Sequence, residues 1–302
     1  MTTLTWIILI TLLIPGPLVG LYFLFNRANG IVHTRGRKRC YLLYVPESYD
    51  PGLPAPLVIS IHGFVQWPAH QRGLSGWNKL ADKYGFLVVY PRGSGFPLRW
   101  NAGPITNDLV KTQREVDFFS DLLDHLSREF NIDPKRIYVN GMSNGGGMAH
   151  LLACTMTGRI AAFGGVAGAY LYPEEVCRPS RPTPWIAFHG REDPVVPYQG
   201  GPSRNHHGRI LFTSIESWAR KWAEYNCCGL EPEIDQITHQ ITRFVYRRCE
   251  DDVEVVLYSI EGGGHTWPGG GWLPVWLTGR TNREINATTL MWEFFERYTS
   301  DL

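Results

Sequence analysis

What this sequence has least of is net charge. Its 302 residues carry 29 Lys and Arg against 28 Asp and Glu, a formal charge of +1 at pH 7, and no basic stripe with interleaved aromatics occurs. Nucleic-acid binders neutralise phosphates with dense positive charge, so no nucleic-acid partner is expected. No internal repeat is present, which excludes a solenoid or propeller. No linker divides the chain beyond residue 30, which leaves one large domain over residues 31–302. Metal-ligand clusters are also missing. His206-His207 lies in a Gly/Ser/Asn/Arg loop without matching carboxylates, so neither a metal nor another cofactor is expected.

One stretch lacks charge altogether. Leu4 to Phe25 is 22 uncharged residues, about 33 Å as a helix and enough to span a bilayer, although Pro15-Gly16-Pro17 interrupts it. No Lys or Arg precedes the run, unlike an ordinary signal peptide, while Ala28-Asn29-Gly30 offers a cleavage site. Residues 1–30 therefore read as a hydrophobic anchor or signal segment, with the membrane as a partner through residues 4–25. Arg35, Arg37, Lys38 and Arg39 follow the run, and the positive-inside tendency alone would leave the remainder in the cytoplasm.

Beyond residue 30, short apolar runs alternate with segments apolar at helical spacing. Residues 56–61, 136–140, 185–189 and 253–260 read as buried strands. Residues 77–84, 116–130, 214–225 and 288–298 read as helices. That alternation predicts an α/β fold, a mainly parallel doubly wound sheet with helices on both faces. Asn286-Ala287-Thr288 matches a glycosylation sequon, but its place at the start of a helix makes Asn286 an N-cap.

The strand ending at Asn140 runs into Gly141-Met142-Ser143-Asn144-Gly145, and an apolar helical stretch follows to Cys154. A serine on a sharp strand-to-helix turn is the nucleophile elbow of α/β-hydrolases, where glycines let the crossing strand and helix approach closely. In that fold the acid and then the histidine follow the serine. Asp193 lies in the loop after the strand that ends at His189, with Glu192 as its competitor. His265 follows Gly262-Gly263-Gly264, just past the strand ending at Ile260. Upstream, His62-Gly63-Phe64 leaves the strand ending at Ile61. In this architecture that turn and the residue after the nucleophile supply the oxyanion-hole amides, here those of Phe64 and Asn144. His62 reads as holding the turn. Ser143 is the expected nucleophile, with His265 as base and Asp193 orienting the imidazole.

These segments resemble the secreted esterase family that includes poly(3-hydroxybutyrate) depolymerase-like proteins, feruloyl esterases and related family-one carbohydrate esterases. The similarity runs from Tyr41-Leu42-Leu43-Tyr44 through Arg99-Trp100-Asn101 and the elbow to Asn286-Ala287-Thr288. It implies the α/β-hydrolase fold and the same Ser143, Asp193 and His265 triad. It also implies hydrolysis of aryl, feruloyl-type or short-chain esters through an acyl-enzyme. Polyester depolymerisation and acyl transfer are the alternatives. Family members commonly carry cysteines where Cys154 and Cys177 stand, and Cys228 and Cys249 look like a second pair. Two pairs favour an oxidising compartment, hence an extracytoplasmic enzyme, membrane-anchored or secreted after cleavage, against the charge tendency above. Cys40 and Cys227 are left over, to pair with each other or remain buried thiols. Trp100, Trp267, Trp272 and Trp276 lie in loops adjoining these segments and are expected to stack on the substrate.

Overall fold

The computed structural model describes residues 28–103, 109–202 and 210–300. A ten-stranded sheet organises them. In chain order its strands are β1 (Gly30–Thr34), β2 (Arg37–Tyr44), β3 (Ala55–Ile61), β4 (Leu87–Pro91), β5 (Ile132–Met142), β6 (Ala162–Val166), β7 (Trp185–Gly190), β8 (Glu233–Thr238), β9 (Ile241–Tyr246) and β10 (Val255–Ile260). Their spatial order is β1-β2-β4-β3-β5-β6-β7-β10-β9-β8. The six central strands from β4 to β10 are parallel, and an antiparallel pair closes each edge. At one edge, β1 turns into β2 through Arg35 and Gly36, both in the left-handed region (φ 47° and 73°), the geometry that matches the twist of a tight hairpin.

Seven helices accompany the sheet among the described residues: α1 (Pro68–Ser75), α2 (Trp77–Tyr84), α3 (Leu109–Glu129), α4 (Asn144–Thr155), α5 (Ile215–Tyr225), α6 (Val275–Thr278) and α7 (Ala287–Phe295). The central strands are apolar on both sides and fully buried, as strands sandwiched between helices must be. Successive residues alternate between two cores. Leu57, Ile59 and Ile61 of β3 join Phe118, Leu122 and Leu151 in one, while Val58 joins Trp77, Ala81 and Phe295 in the other. Helices α3, α4 and α5 cover the first face; α2 and α7 cover the second.

The four predicted strands and four predicted helices are all present, α2 with the predicted ends and the others with displaced ones. Helix α3 begins at Leu109 rather than 116, because its first turn is exposed and carries no apolar period. Residues 233–246 form an antiparallel hairpin that polar, half-exposed strands conceal from periodicity. Asn286 caps α7 as predicted, its side chain accepting from the Thr289 amide at 3.0 Å.

Disulfides join Cys154 to Cys177 and Cys228 to Cys249. Their chain separations of 23 and 21 residues correspond to about 3 kcal/mol each in the chain-entropy view. Cys40 and Cys227 are both free, so they do not pair. Cys227 is exposed rather than buried, because it turns outward just beyond the end of α5. The expected membrane segment, residues 4–25, and the His206-His207 loop lie outside the described residues. Among the described residues no helix is long and apolar enough to cross a membrane.

Candidate active site

Register brings the ends of the central strands together. Ile61 of β3 stands beside Gly141 of β5, and Gly190 of β7 stands beside Ile260 of β10. The loops that follow these positions carry every polar group predicted from sequence to do chemistry. This is the edge of an open parallel sheet where ligands bind.

Ser143 is the hinge between β5 and α4. Its backbone sits at φ 55° and ψ −119°, strained for a residue with a side chain. The Ser143 amide donates to Val166 O, and its carbonyl accepts from the Gly147 and Ala169 amides, which pins the turn. The surroundings explain the glycines. A Cβ on Gly145 would lie 2.2 Å from the Ile61 carbonyl oxygen, and one on Gly141 would lie 2.3 Å from that of Gly145. Strand and helix cross at contact distance, which leaves the Ser143 side chain partly exposed.

The turn after β3 is built around His62. The Gly93 amide donates to its Nε2 at 3.0 Å, so the proton sits on Nδ1, which donates to Gly63 O at 2.8 Å. Burial lowers its pKa to about 4 and keeps the ring neutral. Gln66 Oε1 accepts from the Gly63 amide at 2.8 Å. Among the described residues, the amides of Phe64 and Asn144 donate to no protein acceptor. Two unused backbone donors beside a strained serine are what an anion-binding corner requires.

On the neighbouring loops, His265 Nδ1 donates to Asp193 Oδ2 at 2.7 Å. The other oxygen of Asp193 accepts from the Val195 and Val196 amides, both at 2.8 Å. His189 Nε2 lies 3.3 Å from Asp193 Oδ2 and 3.0 Å from Val196 O. Burial alone would raise the Asp193 pKa, but His265 and the hydrogen bonds from His189 and His265 hold it well below the usual carboxylate range. Asp193 is therefore a buried, fully solvated-by-protein anion, which holds His265 with its Nε2 free to accept. Glu192 is exposed, and its amide donates to Gly263 O. His189 was not singled out from sequence. Its signal was its place at the end of a strand four residues before an acid, which periodicity read as strand alone.

Ser143, Asn144 and Phe64 line one cavity of about 400 Å3 with Trp100, Leu171 and Phe212. Its wall is mostly apolar. Trp100 is held by its indole donating to His62 O at 2.9 Å. Asn144 clamps the same residue from the backbone, accepting from the Trp100 amide at 2.7 Å and donating to its carbonyl at 3.1 Å. The other three tryptophans differ. Trp267 is fully buried in the core against the second sheet face, donating to Thr288 Oγ1 at 2.9 Å, so it packs the core instead of offering a face to a substrate. Trp272 and Trp276 are 76% and 86% exposed and do not line this cavity. The His150, Cys154 and Cys177 side chains lie close together, but the two thiols are consumed by their disulfide.

Residues 39–177 match the esterase PHB depolymerase family. The chain is 32% identical over 235 residues to feruloyl esterase B of Piromyces equi, covering 75% of this chain and 42% of that protein. It is also 32% identical over 242 residues to poly(3-hydroxyalkanoate) depolymerase C of Paucimonas lemoignei, covering 72% of this chain and 56% of the other. The chain thus spans about half the length of these relatives. Acetyl xylan esterase from Aspergillus awamori shares the fold, with a TM-score of 0.56 at 16% identity over 76% of this chain and 89% of that one. The chain has the α/β-hydrolase fold, and over residues 39–177 its sequence is similar to the esterase PHB depolymerase family.

Proposed function

We propose that the protein hydrolyses carboxylic esters through Ser143, His265 and Asp193. The observation that carries this reading is the buried Asp193–His265 pair, on the same sheet edge as a strained serine flanked by two unused amides. A serine hydroxyl is a weak nucleophile at neutral pH, so His265 takes its proton as the oxygen attacks the ester carbonyl. Asp193 stabilises the imidazolium. The amides of Phe64 and Asn144 receive the oxyanion, each contributing about 3 kcal/mol or more. His265 then protonates the leaving alkoxide, and water repeats the sequence on the acyl-enzyme.

The largely apolar cavity beside Ser143 suits an aryl or short aliphatic group, and feruloyl-type esters are the first choice. The relative named as a polyhydroxyalkanoate depolymerase supports polyester oligomers as the second. The two disulfides support placement in an oxidising, extracytoplasmic compartment. Residues 4–25, uncharged and long enough to span, serve in this reading as anchor or cleaved leader ahead of the esterase domain.

Ser143→Ala is the decisive variant. It should fold as the parent does and lose turnover by several orders of magnitude on a panel of nitrophenyl esters, methyl ferulate and a hydroxybutyrate oligomer. Retained activity would reject the mechanism, and the panel itself ranks the acyl groups.

A further inference from the structure

The basic residues after the N-terminal hydrophobic run have no part in the reaction above, yet the fold gathers them. A second cavity, of about 680 Å3, opens beside the β1–β2 hairpin. Eight of the residues that line it are Arg or Lys, and Glu115 is the one acid among them. Glu115 is buried and already engaged, accepting from Arg39 at 3.0 Å, Asn101 Nδ2 at 2.8 Å and Ser94 at 3.2 Å. Among the described residues, Arg37, Lys38, Arg99 and Arg114 have no carboxylate within ion-pair distance. In a chain with a net charge of +1, four cations without a carboxylate partner among the described residues thus share one concave site with Arg35 and Arg39, which pair with Asp117 and Glu115. Clefts of this kind focus their field and draw in anions, and guanidinium groups suit carboxylate and phosphate oxygens.

The position gives the charge its meaning. Arg99 and Asn101 line both this cavity and the one that holds Ser143. The two spaces therefore lie side by side, with Arg99 and Asn101 at their common boundary. We propose that the preferred substrate is an anionic ester, carrying a carboxylate or phosphate on the part that passes Arg99 into this cavity. The proposal rests on the esterase reading and adds the charge of the substrate to it. A face for anionic membranes would also use basic residues, but it would not need them to share a wall with the Ser143 cavity.

Matched substrates test it: 4-nitrophenyl octanoate against the 4-nitrophenyl monoester of suberic acid, and a feruloyl ester of glucose against the feruloyl ester of glucuronic acid. The parent should favour the anionic member of at least one pair by roughly tenfold in kcat/KM, and rising salt should erode that preference. The combined variant Arg37→Gln, Lys38→Gln, Arg114→Gln should lose the preference while hydrolysing 4-nitrophenyl octanoate within about twofold of the parent, which also reports its fold. Equal kcat/KM within both pairs, or a preference that survives the variant or high salt, would overturn the proposal. So would a variant that loses binding to phosphatidylglycerol vesicles and leaves the substrate preference intact. Hydrolysis of the neutral esters reports the esterase reading separately, and failure on every ester overturns both.

Discussion

The Ser143 turn and the Asp193–His265 pair occupy the same edge of the sheet, but different forces shape them. The serine turn is steric. Two missing Cβ atoms let β5 and α4 cross, and the crossing forces Ser143 into a conformation it would otherwise avoid. The acid–histidine pair is electrostatic. Asp193 is buried and held by two amides, and His265 and His189 lower its pKa against the opposing effect of burial. The serine side should therefore fail by misfolding when its glycines change. The acid side should fail in catalysis while the fold survives.

The largest effect expected under this contrast is on chemistry. Asp193→Asn should keep the fold and lower kcat roughly 10⁴-fold, because the amide favours the wrong imidazole tautomer. Glu192→Gln, exposed and outside the pair, should stay near the parent. The reverse ranking in steady-state kinetics would break the assignment. Next is the steric side. Gly145→Ala places a carbon 2.2 Å from the Ile61 oxygen, and should lower unfolding stability by about 3 kcal/mol, measured in denaturant. An alanine variant as stable as the parent would show that the elbow yields.

A smaller effect tests buried histidines away from both centres. His150 is enclosed by Tyr170, Trp185, Trp218 and Trp222, and burial depresses its pKa to about 3. With the folded pKa below the ordinary value of 6.5, the unfolded chain binds the extra proton, so stability falls as pH drops below about 6.5. Between pH 7 and pH 5 this one group should cost about 2 kcal/mol. His150→Phe should flatten that decline. An unchanged slope would mean that His150 is not the group responsible. The smallest effect is on His189. His189→Phe should reduce kcat about tenfold, from roughly 1.5 kcal/mol for a hydrogen bond to a charged acceptor, with KM little changed. An unchanged kcat would assign His189 to packing alone.

That Ser143, Asp193 and His265 stand past strand ends on one edge of the sheet was legible because glycines and strand ends are local features, and the order of the three along the chain carries the rest. The central strands were legible for the same reason, since burial on both faces leaves continuous apolar runs. The support for Asp193 was not. His189 reaches it only because β7 turns back on itself after Gly190. Nor could sequence separate Trp100 from Trp267. Both are large, buried and next to a glycine-rich loop, and only packing shows that one walls the cavity while the other fills the core. The exposed Cys227 and the hairpin at 233–246 escaped because polar edges carry no clear period.

The clamp between Asn144 and Trp100 has a consequence for engineering. The Asn144 side chain fastens the residue after Ser143 to the backbone of the loop that walls the cavity, by one accepted and one donated hydrogen bond. Exchanging that loop for another of different length to retune selectivity would loosen the amide of Asn144 along with the wall. A graft that retains Trp100 and both of its backbone contacts keeps the two coupled, and cut points outside the clamp are the natural boundaries for building chimaeras.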